Sequence, residues 1–258
     1  MIKVTCINAS FSARKLLGAA AIAIAFVPMT SQAAVILAGN ATGNIATALT
    51  TLGISFTNAG SSMPGSLGAS DTLILSFDGG GGPYINYTSA LNSGADIIAF
   101  GGSCDGAGGF AAWVGQYINN TYTCWHLDGG DGKWNKLASN AATQYLPASF
   151  NPADNSMTYH MLHLLATTNT VMLGSNDEGN NIAAFRTYAN GGSFNYLAMD
   201  PGPYGTAADR NNFTVPYLRG ALLAAQSGIG GNVIPEPGSL ALVGLGLLAL
   251  RAGRRSKA

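Results

Sequence analysis

The sequence predicts an α/β domain in which helices cover both faces of a mostly parallel central sheet. Short runs that are apolar almost throughout, such as 35–38 and 72–77, are typical of strands buried on both faces. Stretches with a helical spacing of apolar residues, such as 44–52, separate these runs. Buried strands that alternate with helices form parallel sheets, because each crossover helix packs on a face of the sheet. The predicted fold therefore has three layers.

The first half of the domain keeps this alternation after the strand at 35–38 and the helix at 44–52. The elements that follow are a strand at 54–57, a strand at 72–77, a helix at 84–91, the strand Asp96–Phe100 and the helix Phe110–Ile118.

The second half is less regular, and 137–155 has no clear period. Strands are predicted at 121–127, 170–173, 182–188 and 194–199, and helices at 157–165 and 215–226.

The N-terminal residues have the three parts of a secretory signal peptide. Basic residues precede an apolar run at 16–27, and the small-residue pattern Ser31-Gln32-Ala33 follows. This order predicts a signal peptide over 1–33, which is removed after Ala33. The mature domain then spans 34–227, and its only thiols are Cys104 and Cys124 in an oxidising compartment.

The C-terminal residues form a second address signal. A flexible linker at 228–233 precedes 234–258, where a Pro-Glu-Pro triplet, an apolar run and a basic cluster follow one another. The residues are Pro235, Glu236 and Pro237, then 240–250, then Arg251, Arg254 and Arg255. Even a helix over 238–252 would reach roughly 22 Å, short of a hydrocarbon core of about 30 Å. The run is therefore expected to hold the chain in a membrane only transiently.

This tail resembles the PEP-CTERM sorting signal of Gram-negative bacteria. The resemblance implies export by the secretion machinery, transient insertion of the apolar helix into the inner membrane, and processing by an exosortase. It also implies delivery to the cell surface or to an extracellular polysaccharide matrix, such as that of a biofilm. An ordinary C-terminal membrane anchor is the alternative, because its basic flank would look the same.

Without these two end segments the chain is acidic. Between Ala34 and Ile234 there are eleven Asp and Glu residues and five Lys and Arg residues, a net charge of −6. A nucleic-acid partner needs basic patches that meet its phosphates, so none is expected.

Glycine-rich loops follow three predicted strands, at the edge where open parallel sheets bind ligands. The segment Gly102-Ser103-Cys104-Asp105-Gly106 lies between a strand and a helix and has the form of a nucleophile elbow. There, glycines permit a strained turn and the helix N-terminus favours a thiolate. The candidate cleft residues of the three loops are Asp78, Gly79, Gly80, Ser103, Cys104 and Asp200.

The elbow and the strand order resemble the class I glutamine amidotransferase-like fold, which the ThuA-like proteins share. The resemblance implies a flavodoxin-like three-layer sandwich over about 34–226. In that family the partners of the nucleophile stand as His-Pro-Glu after a late strand, whereas this chain has Asp200-Pro201-Gly202. Glu178 is the only glutamate of the mature domain, so no His-x-Glu pair exists there. A cysteine without a base is rarely a catalyst, so we expect a degraded triad and a non-catalytic protein.

Two alternatives remain open for Cys104. His160 and His163 are three residues apart on one face of the predicted helix at 157–165, where they would serve a cysteine-dependent hydrolase or amidase. A disulfide between Cys104 and Cys124 would instead remove the nucleophile, and in an exported chain we favour it.

The sequence predicts neither a metal site nor a cofactor. His126, Asp128 and Asp131 lie at a glycine-rich turn that lacks the spacing of an EF-hand loop. Position 127 is Leu where a Walker motif needs glycine, and 79–82 lacks the third glycine of a dinucleotide fingerprint. We therefore expect an exported binding or structural component associated with exopolysaccharide.

Overall fold

A computed structural model describes residues 33–76, 84–102, 109–118, 122–126, 132–158 and 160–227, with only the backbone of 122–126 and of His160. Several predictions concern residues outside these ranges. They are the signal peptide up to residue 32, the linker and sorting tail at 228–258, the turn at 128–131, and the cleft residues Asp78, Gly79, Gly80, Ser103 and Cys104.

Eleven strands join in one mixed sheet within the described ranges. In chain order they are β1 Val35–Gly39, β2 Thr57–Asn58, β3 Thr72–Ser76, β4 Asp96–Phe100, β5 Tyr122–His126, β6 Trp134–Lys136, β7 Ser149–Phe150, β8 His160–Leu164, β9 Val171–Ser175, β10 Asn181–Thr187 and β11 Ser193–Leu197. The main order across the sheet is β2-β1-β3-β4-β11-β10-β9-β6-β7.

The central strands are parallel, as predicted for an α/β fold. β1 pairs with β2 and β3, β3 pairs with β4, and β4 pairs with β11, all in parallel. Every residue of β3, β4 and β11 is buried. Burial on both faces explains the apolar runs of β3 and β4, whereas in β11 the buried side chains of Ser193 and Asn195 are hydrogen-bonded.

The far side of the sheet is antiparallel, which the sequence pattern did not predict. β10 pairs antiparallel with β11 and with β9, and β6 pairs antiparallel with β9 and β7. Short connections explain the direction of the β9–β10 and β10–β11 pairs, since a chain that turns back within a few residues can only form antiparallel pairs. Between β10 and β11 the turn places Asn190 and Gly191 at φ 55° and 86°.

Helices lie on both faces of the sheet. They are α1 Asn44–Thr51, α2 Thr88–Asn92, α3 Phe110–Ile118, α4 Ala207–Asp209 and α5 Val215–Ser227, with a π-helical turn Arg210–Thr214 between the last two. Trp113 of α3 packs edge-on against Phe194, at 5.7 Å between ring centroids. From α5, the Tyr217 hydroxyl donates to Asn195 Oδ1 at 2.6 Å. Because neighbouring residues of a strand face opposite sides, α3 and α5 cover opposite faces of β11.

The prediction of a helix at 157–165 is wrong. A short 3-10 helix, Asn155–Thr158, is followed by strand β8, which pairs antiparallel with β5. The segment His-Met-Leu-His-Leu is too short for its period to separate a helix from a strand, and pairing with β5 decides between them. Positions three apart on a strand lie on opposite faces, so 160 and 163 do not share the face that a helix would give them.

Two other predicted elements differ in extent. Around 54–57 only Thr57–Asn58 is a strand, because this edge strand pairs with β1 alone. The helix predicted at 84–91 begins at Thr88.

Candidate functional site

The carboxyl ends of β1, β3, β4 and β11 lie at one edge of the parallel half of the sheet, and we call it the carboxyl edge. Open α/β sheets bind ligands at such an edge. Asp200 is the one member of the predicted cleft that lies in the described part of the chain, and it follows β11 at this edge.

Asp200 is buried and holds the end of β3. The Ser76 hydroxyl donates a short hydrogen bond to Asp200 Oδ1, and Ser76 has no exposed surface. The backbone N–H of Asp200 donates to the Met157 carbonyl at 2.9 Å. A carboxylate accepts hydrogen bonds only, so Asp200 orients the serine hydroxyl here. This link joins two strand ends that are 124 residues apart in the chain.

Gly202 lets the loop after Asp200 lie directly on the strand ends. A Cβ at this position would stand 2.5 Å from Ser76 Oγ and 2.6 Å from the Asn40 carbonyl oxygen. The Gly202 carbonyl in turn accepts from the N–H of Asn44 at 3.1 Å, at the start of α1. A Cβ on Gly43 would stand 2.6 Å from the Gly202 oxygen. The loop thus packs directly on the ends of β1 and β3 and on the start of α1.

Gly101 fixes the point from which the predicted elbow departs. Its N–H donates to the carbonyls of Leu197 and Met199, at 3.1 and 3.0 Å, and its φ is 102°. The hydroxyl of Tyr196 donates to the Gly101 carbonyl at 2.7 Å. Burial raises the pKa of Tyr196 well above its usual value, and the charges of Tyr217 and Asp200 raise it further. Tyr196 is therefore a neutral donor at any physiological pH.

A second set of hydrogen bonds anchors the end of the same loop to α1. The Asn44 side chain donates to the carbonyls of Tyr204 and Gly205, at 2.8 and 2.9 Å. Its Oδ1 accepts from Arg210 at 2.9 Å. The loop from Asp200 to Gly205 is thereby held at both ends against α1 and the sheet.

Asp209 links the end of this loop to the segment that contains Ala153 and Asp154. Its carboxylate accepts from the backbone N–H groups of Ala153, Asp154 and Thr206, and from the Thr206 hydroxyl at 2.8 Å. Burial by itself would raise the pKa of Asp209, but these hydrogen bonds prevail and lower it. The capping box formed by Thr206 and Asp209 starts α4.

The two candidate histidines lie on β8. His163 is half-buried, and burial lowers its pKa, an effect that the charge of Glu178 opposes. In the ladder, His160 stands opposite His126, and His163 stands opposite Thr123. β8 pairs with β10, and β11 and β10 come between it and β4. At about 4.8 Å per strand, β8 lies roughly 14 Å across the sheet from β4, the strand that leads to Cys104.

The aromatic residues Trp113 and Tyr117 of α3 are in the core. Trp113 and Tyr117 are each no more than 2 % exposed. The Trp113 indole N–H donates to the Ile85 carbonyl at 2.7 Å, and the Tyr117 hydroxyl accepts from the N–H of Tyr87 at 2.9 Å. These bonds tie the segment before α2 to α3, so both aromatic side chains stabilise the fold.

Neither a metal site nor a membrane span is found in the described ranges. No three His, Cys, Asp or Glu side chains of these residues converge as ligands of an ion. No helix among them combines the length and apolar composition needed to cross a bilayer. The proposed Cys104–Cys124 disulfide stays a prediction, because Cys104 lies outside the described residues.

Sequence reasoning named the loops of this edge but not all the residues that shape it. Gly202 belongs to the predicted loop that contains Asp200, and Ser76 lies near the end of the strand predicted at 72–77, whereas Asn40 and Tyr196 had no such signal. Asn40 could have been found from the sequence, because it is a polar residue directly after a buried strand, where α/β sheets bind ligands.

Comparison with known proteins identifies the C-terminal segment. Residues 233–256 match the PEP-CTERM protein-sorting motif. The motif implies an exported protein that an exosortase processes and that is associated with the cell surface, as the tail predicted. No curated protein sequence matches the chain.

Solved structures with a similar fold are distant in sequence. A cytoplasmic protein of Salmonella typhimurium LT2 is 12 % identical, with a TM-score of 0.54 over 74 % of this chain and 98 % of its own. A second cytoplasmic protein of Salmonella typhimurium is 12 % identical, with a TM-score of 0.51 over 77 % of this chain and 100 % of its own. A β-galactosidase of Rahnella sp. R3 is 14 % identical, with a TM-score of 0.50 over 81 % of this chain and 35 % of its own. At such identities the likeness concerns the fold alone.

Proposed function

We propose that the exported domain is a non-catalytic binding or structural component that associates with exopolysaccharide at the cell surface or in the extracellular matrix. The observation that carries this proposal is the burial of Asp200 at the carboxyl edge and its hydrogen bond with Ser76. Asp200 stands where the resembling amidotransferases have a histidine, and its carboxylate is buried against Ser76.

The chemistry of this pair supports binding or structure over catalysis. A nucleophilic thiol needs a partner that takes its proton and later delivers a proton to the leaving group. Asp200 accepts the Ser76 hydroxyl, and both side chains are closed to a substrate. Gly202 packs against Asn40, which leaves no room for the glutamate that would orient a histidine.

The location of His163 also disfavours the hydrolase alternative. A base must lie within hydrogen-bond reach of the group that it deprotonates, about 3 Å. Two strands, β11 and β10, separate β8 from β4. The acidic residue whose charge acts on His163 is Glu178, in the turn between β9 and β10. A triad with Cys104 would need the elbow loop to cross those strands.

Co-sedimentation of the exported protein with exopolysaccharide from the producing bacterium tests this proposal. We expect the protein to be retained, and a Cys104→Ser variant to be retained equally, because binding does not use the thiol. Neutral dextran is the control polymer. Release of ammonia or cleavage of an ester by the native protein, lost in Cys104→Ser, would instead favour a cysteine-dependent hydrolase or amidase.

A further inference from the structure

The first residue of the mature domain lies beside a carboxylate. The backbone N–H of Ala34 donates to Asp71 Oδ1 at 3.4 Å, and the Ala34 carbonyl accepts from the N–H of Thr72 at 2.8 Å. Ala34 therefore already sits in line with β1, at the amino edge of the parallel strands. Ala33, which precedes it, is exposed.

The sequence predicts a processing point between these residues, and the start of the described sheet is compatible with it. The pattern Ser31-Gln32-Ala33 predicts signal-peptide cleavage after Ala33. Ala34 already bonds to the sheet, because its carbonyl accepts from the N–H of Thr72. The folded domain therefore starts at the residue that cleavage would expose.

We propose that cleavage of the Ala33–Ala34 bond creates an α-ammonium group on Ala34 that pairs with the carboxylate of Asp71. This inference rests on the export of the chain. In the step, water adds its hydroxyl to the Ala33 carbonyl carbon and the C–N bond breaks. The new carboxylate leaves with the signal peptide, and the Ala34 nitrogen takes up protons to become an ammonium group.

Asp71 is oriented for this partner before cleavage. Its Oδ2 accepts from the backbone N–H of Gly68 at 2.7 Å, which holds the carboxylate in one rotamer. The amide of Ala34 in the precursor supplies one neutral donor at 3.4 Å. An ammonium group supplies three donors and a full charge, and hydrogen bonds between charged groups are shorter and stronger. Cleavage thus converts a weak contact into an ion pair without moving the strand.

The basic side chains that have a described partner do not compete for Asp71. Asp96 lies at this edge, opposite Thr72, and its carboxylate accepts from the Ser193 hydroxyl at 2.6 Å. The Lys and Arg side chains with described partners bind elsewhere: Lys136 to Leu146, Arg186 to Tyr117, Arg210 to Asn44 and Arg219 over the ring of Tyr145. The new ammonium group therefore meets the carboxylate of Asp71 and none of these bases.

The pair would stabilise a strand on which the sheet depends. β1 lies between β2 and β3, and its residues 37 to 39 are buried. A fixed first residue opposes fraying of this strand from its end, so the processed domain is expected to be more stable than a chain that still carries the signal sequence.

The test uses the exported protein, first with its N-terminus defined by mass and N-terminal sequencing, then with its α-amine acetylated near pH 6.5, where lysines react slowly. We expect Ala34 as the first residue, and a melting temperature that acetylation lowers by roughly 2–4 °C, as for the loss of one modest ion pair in a domain of this size. In Asp71→Asn, acetylation should have no effect. Asp177→Asn removes the same charge from an exposed turn and should respond like the native protein.

The remaining outcomes separate this inference from the proposed function. At about pH 10.5 the amine is neutral, and the difference between free and acetylated protein should vanish. An exported chain that keeps Met1 would overturn cleavage of the signal peptide and with it the new ammonium group, but not the proposed function. A first residue other than Ala34 would overturn only the cleavage point. Cleavage at Ala34 with equal effects of acetylation in Asp71→Asn and in native protein would overturn only the ion pair.

Discussion

At the scale of single residues, Asp96 places a carboxyl group in the buried start of β4. It is 7 % exposed, and its Oδ1 accepts from the Ser193 hydroxyl. Burial raises the pKa of Asp96 to about 6, although the hydrogen bonds from Ser193 lower it. A raised carboxyl pKa stabilises the fold below the unfolded value near 4, and this contribution is lost as the pH rises through 6.

We therefore predict that Asp96→Asn removes a pH dependence from the free energy of unfolding. Through this group the native protein should lose roughly 2 kcal/mol of stability between pH 4.5 and 7.5, because about 1.5 pH units of this range lie below the folded pKa and each unit corresponds to about 1.4 kcal/mol. An asparagine stays neutral and still accepts from Ser193, so the variant should be the more stable form at pH 7.5. Urea unfolding of both proteins across this range measures the difference.

The range and the control isolate the effect of Asp96. Above pH 4.5 the carboxyl of Asp209, whose pKa is lowered, stays ionised. Asp177→Asn changes the same charge at an exposed position and should keep the native slope. An Asp96→Asn variant that follows the native slope would show that this carboxyl group does not titrate between these pH values.

At the scale of elements, the loop after β11 depends on Gly202 for its approach to β1 and β3. A methyl group there would stand 2.6 Å from the Asn40 carbonyl, and backbone cannot yield as a flexible side chain can. We predict that Gly202→Ala costs roughly 1–3 kcal/mol of stability, as overpacking of a filled interior does.

Gly65→Ala is the matched control for this substitution. A Cβ on Gly65 meets no atom within 4 Å, and its φ does not lie in the left-handed region. Removing the freedom of a glycine at such a position is neutral or slightly stabilising. Chemical denaturation of the two variants compares them directly, and equal stability of both would mean that the loop does not rest on β1 as described.

At the scale of the whole molecule, the sorting motif and the folded domain occupy separate segments of the chain, so substitutions in one can be tested apart from the other. The PEP-CTERM motif spans 233–256, beyond the end of α5 at Ser227. We predict that Glu236→Ala leaves a membrane-retained precursor with its C-terminus intact, while removal of the signal peptide continues. Fractionation of cells and the mass of the retained species measure this.

Glu178→Ala is the control for the tail, because Glu178 is the other glutamate after the signal peptide and lies in an exposed turn. It should be processed and released as the native protein is. Normal processing of Glu236→Ala would place recognition in other residues of the tail.

The sequence by itself determined the sorting of the chain, the central parallel strands and the long helices. These features are local. An apolar run such as that of β3 or β4 is enough to predict a strand buried on both faces, and the tail carries its signal in consecutive residues. Only the tertiary structure decided the antiparallel half of the sheet, and β8 became a strand because β5 lies beside it. The Ser76–Asp200 bond and the contact of Ala34 with Asp71 join residues 124 and 37 positions apart. No periodicity within a single segment encodes such contacts, since they form when separate strands end at the same edge of one sheet.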